Sequence, residues 1–403
     1  MIRNLGIILS FFLIIEGIFF SLALKYFKIN KYFLIVIACL SLFSYLFFSY
    51  EILNYSRAEG PKHSFYWAIG ILVLHFFPKL IALLFWFVSI ILVLLPTNII
   101  KVGDNTGRKA FLGKLGLAVA AIPFSTILYG IFKGKYNFKV ITEQLTFTDL
   151  PDEFDGLKIL QISDLHSGSF DNPDKIQYAV DLINEQDFDL CLFTGDIVNT
   201  KAEEFIPWID TFKRIKKSTF GKYSVLGNHD YGEYIHWNSK EEKEANFQAI
   251  KNLHKEIDFK LLNNEHVLLT KGNDSIAVVG VENWGEKFKK AGDLNKASEG
   301  LNTDQFKVLM SHDPSHWEYE VKDSPGNFQL TLSGHTHGFQ FGIEIPGFLK
   351  WSPAKYLYKQ WAGLYEHSNR YVYVNRGFGF HAFPGRVGVW PEITVLELKK
   401  KNS

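Results

Sequence analysis

Five short segments of this 403-residue chain carry side chains of the types that bind metal ions. Each segment follows directly after a short apolar run. The candidate ligands are Asp164, His166, Asp196, Asn228, His312, His335 and His337. Imidazole nitrogens and carboxylate or amide oxygens suit Zn²⁺, Mn²⁺ or Fe. A lone histidine after a strand is most often structural, but five segments of the same composition predict a metal centre.

The spacing inside these segments supports that prediction. In "DLH" and "HTH" the ligand-type residues are one residue apart, which places both side chains on one side of an extended backbone. Gly195, Gly227 and Gly334 each precede a candidate ligand and allow tight turns and close approach of the backbone.

The elements that must position these residues are predicted to be buried strands. Short apolar runs bounded by glycine-rich turns are typical of such strands, and the chain has them in "LKILQISDLH", "DLCLFTGDIVN", "KYSVLGNHD", "SIAVVGVEN", "FKVLMSHDP", "QLTLSGHTHG" and "RYVYVNRGFG". Helical patterns at 174–185 and 241–257 lie between them. Alternating strands and helices indicate a layered α/β core, in which strand ends can bring the five segments to one edge.

The N-terminal third is predicted to cross a membrane. Four apolar stretches, at 5–24, 33–54, 67–95 and 115–132, are each long enough to span ~30 Å of hydrocarbon. The third contains "HFFPKL" and is either one kinked span or a re-entrant half-helix followed by a span. A signal peptide would explain one such stretch but not four. We therefore divide the chain into a transmembrane region, 1–134, and an α/β domain, 135–403.

Three polar residues lie in these stretches. Glu16 is either a proton or substrate site, as intramembrane carboxylates often are, or a group that forms a helix-packing hydrogen bond or stays protonated and silent. We favour packing because no second charge is close to it in the sequence. His75 and Lys79 are expected to flank a helix break at the membrane interface.

Charge and cysteine content exclude several classes of protein. The formal net charge is +1, which gives no overall field that would attract nucleic acid. Two cysteines exclude a disulfide scaffold and a cysteine-based zinc site. We expect no nucleic-acid partner, and nothing in the sequence indicates an obligatory protein partner.

One segment decides our prediction of the side of the membrane on which the C-terminal domain lies. Basic residues are nearly balanced between the two sides of the predicted spans, so the positive-inside rule gives no orientation. "TGRKAFLGKLGLAVAAIP" resembles a twin-arginine export signal, with Lys109 in place of the second arginine. We therefore expect a plasma (inner) membrane protein whose C-terminal domain is extracytoplasmic.

Together, the five metal-ligand segments resemble the calcineurin-like metallophosphoesterase family. Its pattern is D-x-H, G-D, G-N-H-[DE], a later histidine and G-H-x-H, and all five blocks occur in this order from Asp164 to His337. The resemblance covers roughly 135–399. It implies a four-layer α/β/β/α sandwich that hydrolyses phosphate esters with two divalent ions, Mn²⁺ first and Zn²⁺ or Fe as alternatives.

The resemblance also implies a role for each residue. One ion would be held by Asp164, His166 and His337, the second by Asn228, His312 and His335, with Asp196 bridging both. His229 would face the substrate as a catalytic residue without binding metal, and Asp230 would orient its ring.

The residues at individual motif positions limit the class of substrate that the resemblance implies. "GDIVNTK" and "GNHDYG" lack the arginine block and the glutamate of protein Ser/Thr phosphatases. "LPDEFDGLKILQISDLHSGSF" and "VNRGFGFHAFPGRVGVWPEI" instead resemble the membrane-associated bacterial branch. That branch includes twin-arginine-exported phosphodiesterases and is similar to enzymes that cleave the pyrophosphate of UDP-diacylglucosamine. The expected substrate is a phosphodiester or pyrophosphate, lipid-linked or nucleotide-linked. Phe339 stands where the branch has glycine.

Other residues are candidates outside the metal ligands. Arg386 is the candidate substrate contact, as a guanidinium fork on a phosphate, although anchoring of its own loop explains it equally well. We expect Arg376 to anchor a loop and Asn199 to position the loop of Asp196. The aromatic-rich segments 347–365 and "YGEYIHW" are either packed surface caps, which we favour, or lips that contact a bilayer, an acyl chain or a nucleobase.

Two other classes of function compete with a hydrolase. One is a membrane sensor or scaffold with a degenerate metal-binding domain, and the other is a transporter regulated by its soluble domain. The intact ligand set argues against a degenerate sensor or scaffold. Four spans with one clear intramembrane charge offer few polar groups for the pathway of a transporter.

Overall fold

The computed structural model describes residues 2–25, 29–94, 105–345 and 347–401. The chain divides into two compact units, one formed by Met1–Phe132 with Ala382–Gly385 and the other by Lys133–His381 with Arg386–Ser403. Leu95, the predicted end of the third span, lies outside the described residues.

The first unit contains four long helices among its described residues. They are α1 (Ile2–Lys25), α2 (Lys31–Leu53), α3 (His63–Leu94) and α4 (Asn105–Phe132). Each is long and apolar enough to cross a membrane, which confirms the four predicted spans. Helix α3 continues through Pro78 as a single helix, so the alternative of a re-entrant half-helix is wrong.

A polar cluster joins three of these helices. Oε1 of Glu16 accepts hydrogen bonds from the Tyr45 hydroxyl at 2.7 Å and from Lys79 Nζ at 2.6 Å. Lys79 Nζ also donates to the Ser41 hydroxyl at 2.6 Å and lies 3.3 Å from Nδ1 of His75. The expectation that His75 and Lys79 flank a helix break is therefore wrong, because both lie inside one continuous helix and Lys79 is buried against Glu16.

The described part of the second unit forms two six-stranded sheets and a hairpin. In spatial order, the first sheet contains β1 (Lys139–Phe147), β14 (Glu392–Lys400), β2 (Lys158–Ile162), β3 (Leu190–Phe193), β4 (Lys222–Ser224) and β5 (Lys260–Leu261). The second contains β12 (Gly363–His367), β13 (Arg370–Val374), β9 (Leu330–Ser333), β8 (Lys307–Met310), β7 (Asp274–Gly280) and β6 (Glu265–Lys271). The hairpin pairs β10 (Ile343–Ile345) with β11 (Leu349–Trp351).

Helices cover the outer face of each sheet. Those on the first sheet are α5 (Pro173–Glu185), α6 (Ile209–Lys213) and α7 (Lys240–Glu256). The second sheet packs against α8 (Leu294–Ala297) and a short π-helical turn, Trp317–Val321. This arrangement confirms the predicted α/β/β/α layers and both predicted helices of the domain.

Strand β3 shows why its sequence is a continuous apolar run. Cys191 and Phe193 pack against the helices, whereas Leu190 and Leu192 pack in the core between the two sheets. Successive side chains of a strand point to opposite faces, so a strand buried on both faces must be apolar at every position. All seven predicted strands form, and the same reason accounts for their largely apolar sequences, although buried polar residues such as Gln161 in β2 and Lys307 in β8 interrupt them.

The parallel strands place the predicted ligands at one end of each sheet. Strands β2, β3 and β4 are parallel neighbours in the first sheet, and β7, β8 and β9 are parallel neighbours in the second. Each of the five ligand segments follows the carboxyl end of one of these strands. The two sheets can therefore contribute side chains to a single cavity.

Candidate metal centre

The loops after the strands bring the predicted ligands together. Three groups of residues each offer donor atoms that lie within 4.8 Å of one another, namely Asp164 with His166 and His337, His166 with Asp196 and His229, and Asp196 with His312 and His335. The seventh predicted ligand, Asn228, places its side-chain oxygen 2.7 Å from Nδ1 of His335. All seven predicted ligands thus lie in one connected cluster.

Two buried imidazole nitrogens have the environment of metal ligands. Nε2 of His337 lies 3.2 Å from Oδ1 of Asp164, and Nε2 of His312 lies 3.1 Å from Oδ2 of Asp196. Neither nitrogen forms a hydrogen bond, although both are buried. Buried polar atoms are rarely left without a partner, so donor atoms that crowd together without hydrogen-bond geometry fit a shared cation.

The electrostatics of the cluster also favour a cation. Burial acts to raise the pKa of Asp164, but the imidazoles of His337 and His312 outweigh it and hold that pKa below its usual value. Burial acts to lower the pKa of His312, but the Asp196 carboxylate raises it to about 10. The carboxylates and the imidazoles of the cluster therefore interact strongly, and the Asp196 carboxylate favours a positive charge beside the His312 ring.

The ligands lie on a strained backbone. Five of them have positive φ angles, namely Asp164 (53°), His166 (47°), Asp196 (59°), His335 (70°) and His337 (50°). Such a conformation costs about 1 kcal/mol or more for a residue other than glycine, and it persists where surrounding contacts enforce it. Here the Asp164 carboxylate accepts the backbone N–H of His335 at 2.9 Å. Strain concentrated at one set of loops is typical of a functional site.

Glycines make room for the carboxylates, as their positions in the sequence predicted. A Cβ atom on Gly227 would lie 2.2 Å from Oδ1 of Asp196. A Cβ atom on Gly334 would lie 2.1 Å from Oδ2 of Asp164. Neither distance is possible for a real side chain, so these two positions require glycine for the carboxylates to enter the cavity.

Asn199 orients two histidines of the cluster. Its backbone carbonyl accepts a hydrogen bond from Nδ1 of His229, with the two atoms 2.7 Å apart. Its side-chain oxygen lies 3.1 Å from Nδ1 of His166. The positioning role predicted for Asn199 thus extends to the rings of both histidines.

Asp230 does not contact the ring of His229, contrary to the role that the resemblance implied. Its carboxylate accepts three backbone N–H groups, from Gly227 at 2.8 Å and from Asp196 and Ile197 at 3.0 Å each. Burial and the nearby Asp196 charge raise the pKa of Asp230 to about 7. Asp230 therefore connects the loop after β3, which carries Asp196, to the loop after β4, which carries Asn228.

Arg386 does not project into the cavity as a phosphate-binding fork. It is completely buried, and it donates to the carbonyl oxygens of Arg376 at 2.8 Å, Gly377 at 3.1 Å and Gly379 at 2.8 Å. One terminal nitrogen also lies 3.1 Å from Nδ1 of His337. Because main-chain carbonyls occupy its guanidinium, these contacts favour the alternative in which Arg386 anchors its own loop.

Arg376 anchors its loop, as predicted. Its guanidinium forms ion pairs with Glu344 at 2.9 Å and with Glu392 at 2.5 Å. Glu344 belongs to the β10–β11 hairpin and Glu392 to β14, so this arginine connects the hairpin to the end of the first sheet.

Two residues on the second-sheet side of the cluster were missed by the sequence analysis. The Tyr358 hydroxyl lies 2.8 Å from Nε2 of His335, and Oδ2 of Asp313 lies 3.5 Å from the same nitrogen. Tyr358 belongs to the aromatic-rich segment 347–365, and Asp313 directly follows a predicted ligand, so both had a weak signal in the sequence.

Two further rings on the other side were also missed. Tyr234 stacks on His229 with their ring centres 4.2 Å apart. His381 stacks on His166 at 4.9 Å and meets His229 edge-on at 4.6 Å. Tyr234 lies in "YGEYIHW", and His381 lies in "VNRGFGFHAFPGRVGVWPEI", but nothing in that segment singled out the histidine itself. The rings of Tyr234 and His381 therefore both pack against the ring of His229.

The two-sheet sandwich and its strand-end ligands define a metal-dependent phosphoester hydrolase. A family model described as "Calcineurin-like phosphoesterase" matches residues 157–339. Another, described as "Probable Calcineurin-like phosphoesterase, transmembrane domain", matches residues 2–135. The chain belongs to the calcineurin-like metallophosphoesterase family and is an integral membrane member of it.

Individual relatives align with more than half of the chain. It is 31% identical over 257 residues to the "Uncharacterized metallophosphoesterase YkuE" of Bacillus subtilis, covering 63% of this chain and 82% of the relative. It is 26% identical over 308 residues to the "Transmembrane protein with metallophosphoesterase domain" of Danio rerio, covering 74% and 64%. It is 28% identical over 285 residues to the "UDP-2,3-diacylglucosamine pyrophosphatase LpxG" of Chlamydia muridarum, covering 57% and 81%.

Proposed function

We propose that this protein hydrolyses phosphodiester or pyrophosphate bonds at a membrane with a pair of divalent metal ions. The observation that carries the proposal is the position of Asp196. Its Oδ2 lies 3.1 Å from Nε2 of His312 and 3.5 Å from Nε2 of His166, so one carboxylate lies between two sets of ligands. A carboxylate in this position can bridge two cations and offset their mutual repulsion.

The two ligand sets are those implied by the resemblance. The first is Asp164, His166 and His337, and the second is Asn228, His312 and His335. Mixed oxygen and imidazole donors suit Mn²⁺, which we propose as the native ion, with Zn²⁺ or Fe as alternatives. When bound, the ions would supply Lewis-acid activation of the phosphorus centre and of the attacking water.

His229 supplies the acid–base chemistry in this proposal. Because a carbonyl oxygen only accepts hydrogen bonds, the contact with Asn199 fixes the proton of the neutral ring on Nδ1. Nε2 can then take up a proton and donate it to the leaving oxygen. His229 is only partly buried, unlike most of the ligands, so a substrate can reach its ring.

The substrate that we propose is linked to a lipid or a nucleotide, and UDP-2,3-diacylglucosamine is one candidate. The similarity to LpxG supports a nucleotide-linked pyrophosphate. The four candidate spans support a substrate that resides in a membrane. We further propose that the membrane is the plasma membrane and that the catalytic domain is extracytoplasmic.

The function is tested with the purified full-length chain in detergent. With added Mn²⁺ it should hydrolyse bis-p-nitrophenyl phosphate, and a screen against nucleotide diesters and UDP-2,3-diacylglucosamine should identify the better substrate class. Absence of turnover with each of Mn, Zn, Fe, Co and Ni would contradict the proposal. A chain that bound metal but hydrolysed none of these compounds would instead be the non-catalytic sensor or scaffold considered above.

A further inference from the structure

Large apolar side chains are exposed in one part of the catalytic unit. Phe348 is 83% exposed, Tyr356 is 71% exposed and Leu357 is 61% exposed. Together with Ile343, Ile345 and Leu349, which are also exposed, they form what we term the apolar face. Six such residues within a stretch of the chain that begins at Ile343 and ends at Leu357 are more than the scattered apolar residues of an ordinary surface.

The β10–β11 hairpin exposes its apolar side chains and directs its charged ones toward the domain, the reverse of an ordinary amphipathic strand pair. Ile345 pairs with Leu349 and Glu344 pairs with Lys350 across the two strands. Directly opposed residues share a face, so the apolar residues form one face and the charged pair the other.

The charged face is the one attached to the domain. Glu344 forms its ion pair with Arg376, and Lys350 donates through Nζ to the carbonyl oxygen of Ala362. The apolar side chains are left outward, where an ordinary surface would carry polar groups. A surface strand pair with this polarity would be stabilised by an apolar environment on its outer side.

The turn after the hairpin extends the same face. Trp351, at the end of β11, lies with Nε1 3.4 Å from the Tyr356 hydroxyl. Leu357 follows directly, and Lys355 lies 5.4 Å from the centre of the Tyr356 ring. Aromatic side chains beside lysine are typical of segments that rest at the level of lipid head groups.

We propose that the apolar face rests in the interfacial region of the lipid bilayer to which the four helices anchor the chain. The covalent anchor keeps the catalytic unit close to a membrane surface, and that surface offers the apolar environment that Phe348 and Leu357 lack in water. Lysine at the edge of the face complements anionic lipid head groups.

The apolar face is also connected to the metal ligands. The Ser352 hydroxyl donates to the carbonyl of Gly338 at 2.6 Å, and the Thr336 hydroxyl donates to the carbonyl of Trp361 at 2.6 Å. These bonds fix the segment that carries Tyr356 and Leu357 to the loop that carries His335 and His337. A membrane contact at this face would therefore place the metal centre at a fixed height above the lipid.

A cavity leads from the face toward the site. It has a volume of about 320 Å³, and its lining includes Tyr356 and Leu357 of the apolar face, Phe288, Asp313 and Tyr358. The lining also contains charged side chains of both signs, namely Glu286, Glu318, Lys287, Lys355 and Lys359. Asp313 and Tyr358 contact His335. Resting on the proposed function, we infer that an amphiphilic substrate leaves its acyl chains in the bilayer and extends its phosphate-bearing head group through this cavity.

The membrane contact is tested by fluorescence without any need for activity. The full-length chain carries Phe348→Cys in a Cys39→Ser background, because Cys39 is exposed and Cys191 is buried. The thiol is labelled with a nitrobenzoxadiazole dye, and the protein is placed in nanodiscs of phosphatidylcholine and phosphatidylglycerol. A nitroxide attached to the lipid near the head group should quench the dye strongly. The matched control is Leu268→Cys, on β6 of the same unit and 51% exposed, which should be quenched by iodide in water instead.

Two results would overturn the proposal. One is equal quenching of the dyes at 348 and 268, with both accessible to iodide. The other is a dye at 348 that neither iodide nor the nitroxide lipid reaches, which would mean that protein, such as a second copy of the chain, covers the face.

The substrate route is tested by comparing two substrates. Phe348→Asp should lower kcat/KM about tenfold on UDP-2,3-diacylglucosamine in vesicles, because an apolar membrane contact is lost. It should leave turnover of soluble bis-p-nitrophenyl phosphate unchanged. Equal losses on both substrates, or a loss on neither, would refute the route. If the wild type turned over neither substrate, the proposed function would fail, whereas the fluorescence result would still decide the membrane contact.

Discussion

Nζ of Lys79 in α3 lies 2.6 Å from Oε1 of Glu16 in α1, and both side chains are buried among apolar helices. A charge inside a membrane span is costly unless a partner neutralises it. Lys79 is that partner for Glu16, and the hydroxyls of Tyr45 and Ser41 complete the cluster. The pair joins the first and third helices.

Removing one member of this pair should destabilise the protein more than removing both. Lys79→Met leaves a buried carboxylate unpaired and should lower the free energy of unfolding by about 3 kcal/mol. The double variant Glu16→Gln with Lys79→Met should recover most of that loss. Thermal unfolding of the full-length chain in detergent measures both effects. Lys62→Met is the matched control, since Lys62 pairs with Glu59 at an exposed position and should change the stability little. A double variant as unstable as Lys79→Met would contradict the pairing.

Asp196→Asn should abolish both metal binding and turnover. The neutral amide cannot offset the repulsion of two cations, and Asp196 lies within reach of ligands from both sets. Metal content of the purified protein by elemental analysis, together with hydrolysis of bis-p-nitrophenyl phosphate, measures the effect. Asp187→Asn, at an exposed aspartate, controls for loss of a carboxylate as such. Full metal content in Asp196→Asn would show that this residue does not bridge.

His229→Ala should separate chemistry from metal binding. Loss of a general acid lowers turnover by about 10²–10⁴-fold, while a residue that does not bind metal leaves the metal content unchanged. The geometry alone allows either role, because His229 lies within ligand distance of His166 and Asp196. Metal analysis beside kcat decides between them. Parallel loss of metal and activity would make His229 a ligand.

Arg386→Met should reduce stability without altering substrate affinity in the protein that still folds. Several main-chain carbonyls lose a buried donor at once, and we expect a loss of about 3 kcal/mol or more in the free energy of unfolding. Arg214→Met is the control, because its ion pair with Asp181 is exposed. A normal melting temperature combined with a raised KM would instead restore the phosphate-binding role.

The sequence was sufficient for the parts of the fold that are local. Each ligand lies within a few residues of a buried strand, so the apolar run and the glycine turn predicted both the strand and its polar end. The seven candidate ligands could be named because their side-chain types are those that metals select, whereas their division into two sets came from the family resemblance.

Contacts made through the main chain or across long separations could not be predicted. The ring of His229 is held by the carbonyl of Asn199, and every residue type has a carbonyl. Arg386 is likewise occupied by backbone oxygens that no motif marks. The partner of Glu16 lies on another helix 63 positions further along the chain, which is why the sequence favoured a packing role but could not name Lys79 as the partner.

Phe339→Gly should stabilise the loop of the metal ligands and change the choice of substrate. Phe339 has φ of 50° and ψ of 20°, a left-handed conformation that costs about 1 kcal/mol for a residue with a side chain. Phe339 is 40% exposed, so glycine would lose the packing of the buried part of its side chain, and that loss limits the gain. We expect the free energy of unfolding to rise by up to about 1 kcal/mol in denaturant titrations. Phe339→Leu, which keeps both the strain and an apolar side chain, should give no gain.

The same two variants address specificity, because Phe339 comes two residues after the ligand His337. If its ring limits the size of the group beside the metals, Phe339→Gly should change the ratio of kcat/KM between UDP-2,3-diacylglucosamine and bis-p-nitrophenyl phosphate, whereas Phe339→Leu should change it less. An unchanged ratio in both variants, with the expected gain in stability, would assign Phe339 a purely conformational effect and leave substrate choice to the cavity beside Tyr358.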